Sequence, residues 1–301
     1  MVTFNQSICQ FTMESQIVSH PSATVKVPKG FKLIGGGAII YPFTEPPNPS
    51  NFLTASYPLD PETWFAAGKD HEISSPGSII VSAFAIPDAD DIWDVKIVSA
   101  TSDVLSHPKV TVALPDDYVL TSGGAFVDYR GAGNMLTASF PRANPDGDGD
   151  WYIWEAHSKD HDVSDPAALT VYAIGIRLRS APAGSPGLQN IVTTSATTDP
   201  TDKPQITTTG PAGLVLTGGG AWDHWSGAGN MLTASGPAPD AGTNASAFTW
   251  LASGTDHITS SPATISGWAI YPEAVDALQP ARRIARLKTG EIPPLDSPYR
   301  P

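Results

Sequence analysis

The sequence predicts an all-β fold that is built from three similar units. One motif, which runs from a tryptophan to an Asp-His pair, occurs at Trp64–His71, Trp154–His161 and Trp250–His257. The aspartates of successive copies are 90 and 96 residues apart, so one unit takes about a third of the chain. Self-similarity at a regular spacing indicates units that pack against one another and bury a common core.

Two further segments repeat ahead of each motif. Glycine runs that end in alanine stand at 35–38, 123–125 and 218–221, and the tetrapeptide Leu-Thr-Ala-Ser stands at Leu53–Ser56, Leu136–Ser139 and Leu232–Ser235. In the second unit, Ala168–Leu178 alternates between two sets of side chains, as a strand with two distinct faces does. Four or five such strands per unit, joined by short turns, fit a Greek-key sheet.

The composition supports this fold class. Of 301 residues, 27 are Gly and 29 are Pro, and only 16% are charged, which suits short strands joined by tight turns. No segment has a convincing helical periodicity, and none approaches the ~18–20 consecutive apolar residues of a membrane span. We therefore expect one domain over residues 1–301, with repeats at 17–94, 95–188 and 189–288 and a C-terminal tail at 289–301.

Three Greek-key sheets around a pseudo-three-fold axis are the favoured arrangement of these units. A β-trefoil is the alternative, although its repeats are usually shorter, and a linear solenoid ranks third. Three such sheets opening with glycine-rich turns resemble the β-prism proteins, which include jacalin-like lectins and vitelline-membrane outer-layer proteins. The resemblance implies a lectin-like function. No stretch matches the sugar-binding loop of the jacalin family, so the resemblance carries over no binding residue.

Charge and cysteine content limit the partners and the compartment. A net charge of −13 argues against nucleic acid, which is bound by a basic surface. The single cysteine, Cys9, cannot form an internal disulfide. The first residues lack the basic and apolar regions of a signal peptide. We expect a protein that is cytoplasmic or released without a classical signal peptide; the oligomeric state is left open.

The repeated motif has a structural and a functional interpretation. The aspartates Asp70, Asp160 and Asp256 each follow the tryptophan of their motif by six residues, so that both side chains share one face of a strand. The indoles can fill the core while the carboxylates cap the following turns, which is the favoured interpretation. Alternatively, each copy stacks an indole on a sugar and binds its hydroxyls through the carboxylate.

Metal and catalytic interpretations of the motif are weaker. The histidines His71, His161 and His257 can form a zinc site if they converge on the axis, but we expect the body of the protein to separate them. An adjacent Asp-His pair lies on opposite strand faces and cannot act as in a catalytic triad. The run Asp146–Asp150 begins like a calcium loop, but His157 stands where the bidentate glutamate is required. No metal or cofactor is therefore predicted.

The residues that differ between repeats are the candidates for ligand specificity. After the glycine run, the third unit has Trp222, Asp223, His224 and Trp225, and the second unit has Asp128, Tyr129 and Arg130. Aromatic and polar side chains beside a glycine turn can form a ligand-binding wall. They can equally be surface hairpins that pack differently.

The leading hypothesis is a lectin-like protein that binds carbohydrate or another small neutral ligand. If the repeated motif binds, three ligands are expected per chain; if the divergent residues bind, one is expected. An enzyme, either a hydrolase or a cyclase with one asymmetric pocket, is the alternative. In that case Asp223 and His224, with Asp128 and Arg130, would be the acid–base candidates. A third possibility is a defence or insecticidal protein that recognises its target through the same body.

Overall fold

The structure is a computed structural model that describes residues 8–42, 51–143, 153–180, 191–211, 214–238, 249–272 and a short strand at Ile284–Arg286. The described residues form strands, turns and loops, and no helix among them is long and apolar enough to cross a membrane. The acidic run Asp146–Asp150 and the tail at 289–301 lie outside the described residues.

Each repeat contributes six strands, rather than the four or five expected. The first set of six strands begins ahead of residue 17, and it has β1 (Cys9–Glu14), β2 (Ser22–Lys26), β3 (Phe31–Pro42), β4 (Asn51–Asp60), β5 (Thr63–Asp70) and β6 (Gly77–Pro87). The second has β7 (Trp93–Thr101), β8 (Lys109–Ala113), β9 (Val119–Asp128), β10 (Asn134–Arg142), β11 (Ile153–Asp160) and β12 (Ala168–Leu178). The third has β13 (Ile191–Thr197), β14 (Gln205–Thr209), β15 (Gly218–His224), β16 (Asn230–Pro237), β17 (Thr249–Asp256) and β18 (Thr264–Pro272).

These strands form three antiparallel sheets that have the same internal order. The first sheet runs β2-β5-β4-β9-β12-β7 and the second runs β8-β11-β10-β15-β18-β13. The third runs β14-β17-β16-β3-β6-β1, and β19 (Ile284–Arg286) adds to its edge in parallel with β1. The all-β prediction is therefore confirmed.

Each sheet takes half of its strands from one repeat and half from the next, which differs from the expectation of one sheet per repeat. The junctions are the antiparallel pairs β4–β9, β10–β15 and β16–β3. The last pair joins the third repeat to the first, so the repeats close into a ring. The sequence pattern identifies strands but not their neighbours, because pairing between repeats depends on contacts that are distant in the chain.

The three repeated segments meet at a buried tryptophan in every repeat. The indole N–H groups of Trp64, Trp154 and Trp250 donate to the hydroxyls of Ser56, Ser139 and Ser235 at 3.1, 2.9 and 3.2 Å. All three indoles are at most 1% exposed. A glycine of the run lies against each ring, and a Cβ there would come within 2.2–2.4 Å of it, at Gly36, Gly123 and Gly219. The tryptophan motif, the tetrapeptide and the glycine run therefore recur together, because in each repeat all three pack around the same indole.

The threonine of each tetrapeptide forms a β-bulge. The strand register shifts between Leu53 and Ala55, and the same shift occurs in β10 and β16. Leucine and serine are three residues apart in the tetrapeptide, so they would point to opposite faces of a regular strand. Because the bulge adds one residue, Leu53 and Ser56 both face the interior.

Candidate functional site

The histidines of the three repeats converge at one end of the molecule, contrary to the expected separation. The ring centroids of His71, His161 and His257 are 5.4 Å apart in all three pairs, and each side chain is at most 2% exposed. This placement follows from the ring of repeats, since each histidine directly follows the strand that carries the repeated tryptophan.

Two of these histidines bridge backbone carbonyl groups of the next repeat. In His71, Nδ1 lies 3.0 Å from the carbonyl oxygen of Ala132 and Nε2 lies 2.8 Å from that of His161. In His161, the same atoms lie 2.9 Å from the oxygen of Ala228 and 3.1 Å from that of His257. Every such contact joins one repeat to the next, so these histidines hold adjacent repeats together.

The third histidine, His257, interacts with the backbone of His71, so it also links two repeats. Burial lowers the pKa of His257 to about 4, and the neighbouring His71 and His161 contribute to the lowering. The ring is therefore neutral at physiological pH.

Two of the three histidines and a neighbouring glutamate have the residue types of a metal site. Donor atoms of His71, Glu72 and His257 lie within 4.8 Å of one another. Both nitrogens of His71 also face carbonyl oxygens. His71 would therefore have to leave one of these contacts to bind an ion.

The repeated aspartates hydrogen-bond to the turns that follow them. Asp70 accepts from the backbone N–H of Ser75 at 3.3 Å. Asp160 accepts from the N–H of Asp165 at 3.2 Å, and Asp256 does the same at the equivalent position in the third repeat. Together with the buried indoles, these contacts are those that the structural interpretation of the motif requires.

The divergent residues do not form one wall, because alternation along β15 separates them. Trp222 and His224 lie half-buried on the outer face of the second sheet. Asp223 points inward and is fully buried. Trp225 lies with its ring 4.8 Å from Nζ of Lys159. The acid–base pairing of Asp223 with His224 is therefore not supported, since the two side chains are on opposite faces.

The divergent residues of the second repeat are also away from Trp222. Tyr129 covers Lys69, whose Nζ lies 5.3 Å from the ring, as Trp225 covers Lys159 in the next repeat. Asp128 is exposed at the end of β9, and Arg130 is exposed just beyond it. These residues therefore belong to the inter-repeat contacts and the surface rather than to one pocket.

Two buried ionisable groups, Lys159 and Asp223, interact near Trp225. Nζ of Lys159 donates to the carbonyl oxygen of Ala228, and burial lowers the pKa of Lys159 to about 8 although nearby carboxylates, including Asp223, raise it. Neither carboxylate oxygen of Asp223 hydrogen-bonds to a described residue. Burial raises the pKa of Asp223 well above its usual range, against the opposite effect of Lys159.

An aromatic surface covers the middle of the second sheet, and we call it the Trp platform. It consists of Phe140, His157, Trp222, His224 and Trp268. Phe140 stacks on Trp222 at a centroid distance of 5.0 Å and on Trp268 at 4.8 Å. His157 packs edge-on against both Phe140 and Trp222, at 6.0 and 5.7 Å. The two indoles and both imidazoles are half-buried, so the platform is accessible from outside.

A glycine makes the stacking possible. Gly220 lies opposite Trp268 in the adjacent strand, and a Cβ on it would come within 2.5 Å of the Cα of Phe140. Because Gly220 has no side chain, Phe140 and Trp268 meet across the intervening strand. Gly219 thus lies against the core tryptophan Trp250, and the next glycine, Gly220, makes room for the stack on the outer face.

Charged side chains adjoin the Trp platform. The carboxylate of Glu155 accepts hydrogen bonds from Lys109 at 2.7 Å, His157 at 2.6 Å and Arg142 at 2.6 Å. Burial alone raises the pKa of Glu155, but these hydrogen bonds outweigh it and lower the pKa to about 2. Glu155 is 3% exposed, whereas the side chains of Lys109 and Arg142 are 58% and 43% exposed.

The first sheet has a similar surface, which we call the Tyr platform. It consists of Tyr57, Phe65, Phe126 and Tyr172. Tyr57 stacks on Tyr172 across Gly124 at a centroid distance of 5.0 Å, and Phe65 and Phe126 flank it at 5.6 and 5.5 Å. Burial raises the pKa of Tyr57 to about 12, and Tyr172 adds to the effect. This platform is therefore uncharged at physiological pH.

The third sheet has no such platform. At the positions of the central rings it carries Ile39, Ser82 and Gly236. Its outer face is small and aliphatic at these positions, with Leu251 packed beside Ile39. The three sheets share a backbone arrangement but differ in their outer surfaces.

The sequence pattern indicates Trp222 and His224 as candidate site residues but not the other members of the Trp platform. Phe140 directly follows the repeated tetrapeptide, and His157 lies three residues after the buried Trp154, hence on the opposite face. These positions relative to the repeated motifs could have predicted that both side chains lie on the outer face of the sheet. The sequence matches no protein-family model and no curated protein, so comparison adds no functional assignment to this geometry.

Proposed function

We propose that this protein is a lectin-like carbohydrate-binding protein that takes its ligand on the Trp platform. The observation that carries the proposal is the stack of Phe140, Trp222 and Trp268 on the outer face of a sheet, in which the two indoles are half-buried and Phe140 lies buried between them. The negative faces of indole rings attract the polarised C–H groups of a pyranose. Contiguous exposed aromatic surface is rare on soluble proteins unless it binds something.

We also propose that the three sheets are arranged as a β-prism. The cyclic exchange of strands between repeats supports this arrangement, as does the equal spacing of the three histidine rings. A β-trefoil remains the alternative. In either case each sheet presents one outer face, so ligand sites on different sheets are independent.

The stoichiometry expected from the platforms is two ligands per chain at most. The Tyr platform can stack a sugar as the Trp platform does, whereas the third sheet lacks rings at the equivalent positions. This expectation differs from the three sites of the repeated-motif hypothesis, in which Trp64, Trp154 and Trp250 would have to contact the ligand although they are buried.

A glycan array followed by titration calorimetry tests the proposal. Trp222→Ala and Trp268→Ala should each weaken the bound glycan roughly tenfold, because a stacked ring contributes about 1.4 kcal/mol. Trp225→Ala is the matched control, since it removes an indole that covers Lys159 outside the platform. Unchanged affinity in both platform variants, with melting temperatures like the wild type, would refute the proposal.

The alternatives differ in what this experiment would find. An enzyme should turn over its ligand and should depend on the asymmetric residues Asp223 and His224. A defence protein would bind its target glycan through the same platforms, so that hypothesis stays a prediction that needs an assay on cells.

A further inference from the structure

The two aromatic platforms have similar stacking but differ in charge, since one is neutral and the other adjoins charged side chains. Tyr57 stacks on Tyr172 at 5.0 Å in the first sheet, and Phe140 stacks on Trp268 at 4.8 Å in the second. In the first sheet an uncharged ring, Phe65, takes the position that Glu155 takes in the second. The same chain therefore has a neutral platform and a charged platform, whose ligand preferences can be compared directly.

The cations next to the Trp platform lie on its own face of the sheet. Phe140 is paired directly with Glu155 across β10 and β11. Arg142 follows Phe140 by two residues, so it points to the same face. Lys109 is paired with His157, which is itself a platform ring. All of these groups therefore line one continuous outer surface.

This charged group has an excess of positive charge. Lys109 and Arg142 carry one positive charge each, and the low pKa of Glu155 keeps a single negative charge between them. The carboxylate is buried while both cationic side chains remain about half-exposed, so the accessible charge is positive. This is unusual on a chain whose net charge is −13.

We propose that the Trp platform binds sugars that carry an anionic group, either a carboxylate or a sulfate, whereas the Tyr platform binds neutral sugars. The ring would stack on the aromatic surface while the anionic group receives charge-assisted hydrogen bonds from Arg142 and Lys109. Glu155 positions the two cations and limits their conformations. The inference rests on the proposed function, since it assigns a ligand class to the platforms.

Matched pairs of glycans test this assignment. Calorimetry would compare oligogalacturonate with its methyl ester, sialyllactose with lactose, and sulfated with unsulfated lactose. Tyr172→Ala removes the neutral platform, so that variant reports on the Trp platform; Trp268→Ala serves the opposite purpose. In Tyr172→Ala, an acidic glycan should bind about tenfold more tightly than its neutral partner, and the difference should shrink in high salt. Trp268→Ala should show no preference for the acidic form.

Two charge variants distinguish an electrostatic contact from a structural one. In the Tyr172→Ala background, Arg142→Gln should reduce the preference for acidic glycans, whereas Arg142→Lys should retain most of it because the charge is kept. Equal binding of acidic and neutral partners by Tyr172→Ala would overturn the assignment and leave the proposed function standing. A preference that survives Arg142→Gln combined with Lys109→Gln would also overturn it. Failure of every glycan to bind either platform would instead remove the proposed function itself.

Discussion

Replacing Asp223 by valine should stabilise the protein. Asp223 is fully buried, and neither of its carboxylate oxygens hydrogen-bonds to a described residue. The equivalent positions of the first two repeats hold Ile40 and Val127, both at most 5% exposed. The backbone around this position therefore accommodates an apolar side chain, and valine is close to aspartate in volume.

The magnitude follows from two contributions. A buried carboxyl group without a hydrogen-bond partner destabilises the fold by about 1–3 kcal/mol even when it is neutral. Because the folded pKa of Asp223 is raised, the folded state holds its proton while the unfolded chain ionises near pH 3.9. Stability attributable to Asp223 is thus lost as the pH rises through the interval between those two pKa values, by about 1.4 kcal/mol per unit. The attraction of Lys159 offsets part of this loss, so we expect Asp223→Val to stabilise by about 2–4 kcal/mol at pH 7.

Urea unfolding from pH 4 to pH 8 measures this effect. The advantage of Asp223→Val over the wild type should be smallest at pH 4 and should grow towards neutral pH. Val127→Asp is the matched control at the same position of another repeat, and it should destabilise the protein at neutral pH. A constant difference across the pH range would refute the protonation argument, and a destabilised Asp223→Val would refute the whole reasoning.

Three further predictions concern the repeated motifs. Trp154→Ala should lower the free energy of unfolding by about 3–5 kcal/mol, measured in urea, because it leaves a large cavity, while Ser139→Ala should lower it by only about 1–2 kcal/mol. Ile258 has φ +58°, which is strained for a β-branched residue, so Ile258→Asn should raise the melting temperature; an unchanged or lower value would contradict the strain. The folded pKa of His257 is below the unfolded value near 6.5, so its contribution is complete above that pH and is lost as the pH falls towards 4, by about 3 kcal/mol at most. Acid titration of stability in the wild type and His257→Gln should differ by this amount, and parallel curves would contradict the assignment.

Local sequence patterns were sufficient to predict the class of fold and the repeated segments. Repetition identified three equivalent segments, and alternating patterns identified strands such as β12, which begins and ends at the predicted residues Ala168 and Leu178. It also indicated that the repeated tryptophans belong to the core, because a residue retained in all three copies serves the packing that the copies share. These inferences succeeded since periodicity and packing within a repeat are local properties.

Which strands are neighbours and which side chains meet depends on contacts between distant parts of the chain. The exchange of half-sheets between repeats brings together Phe140 from one repeat and Trp268 from the next, and the same closure gathers His71, His161 and His257. Neither contact has a local signal. The sequence also does not predict that the side chain of Asp223 points inward. Alternation places neighbouring residues on opposite faces of a strand, but it does not indicate which face is buried. That choice depends on the sheet against which a strand packs, and hence on residues far away in the chain.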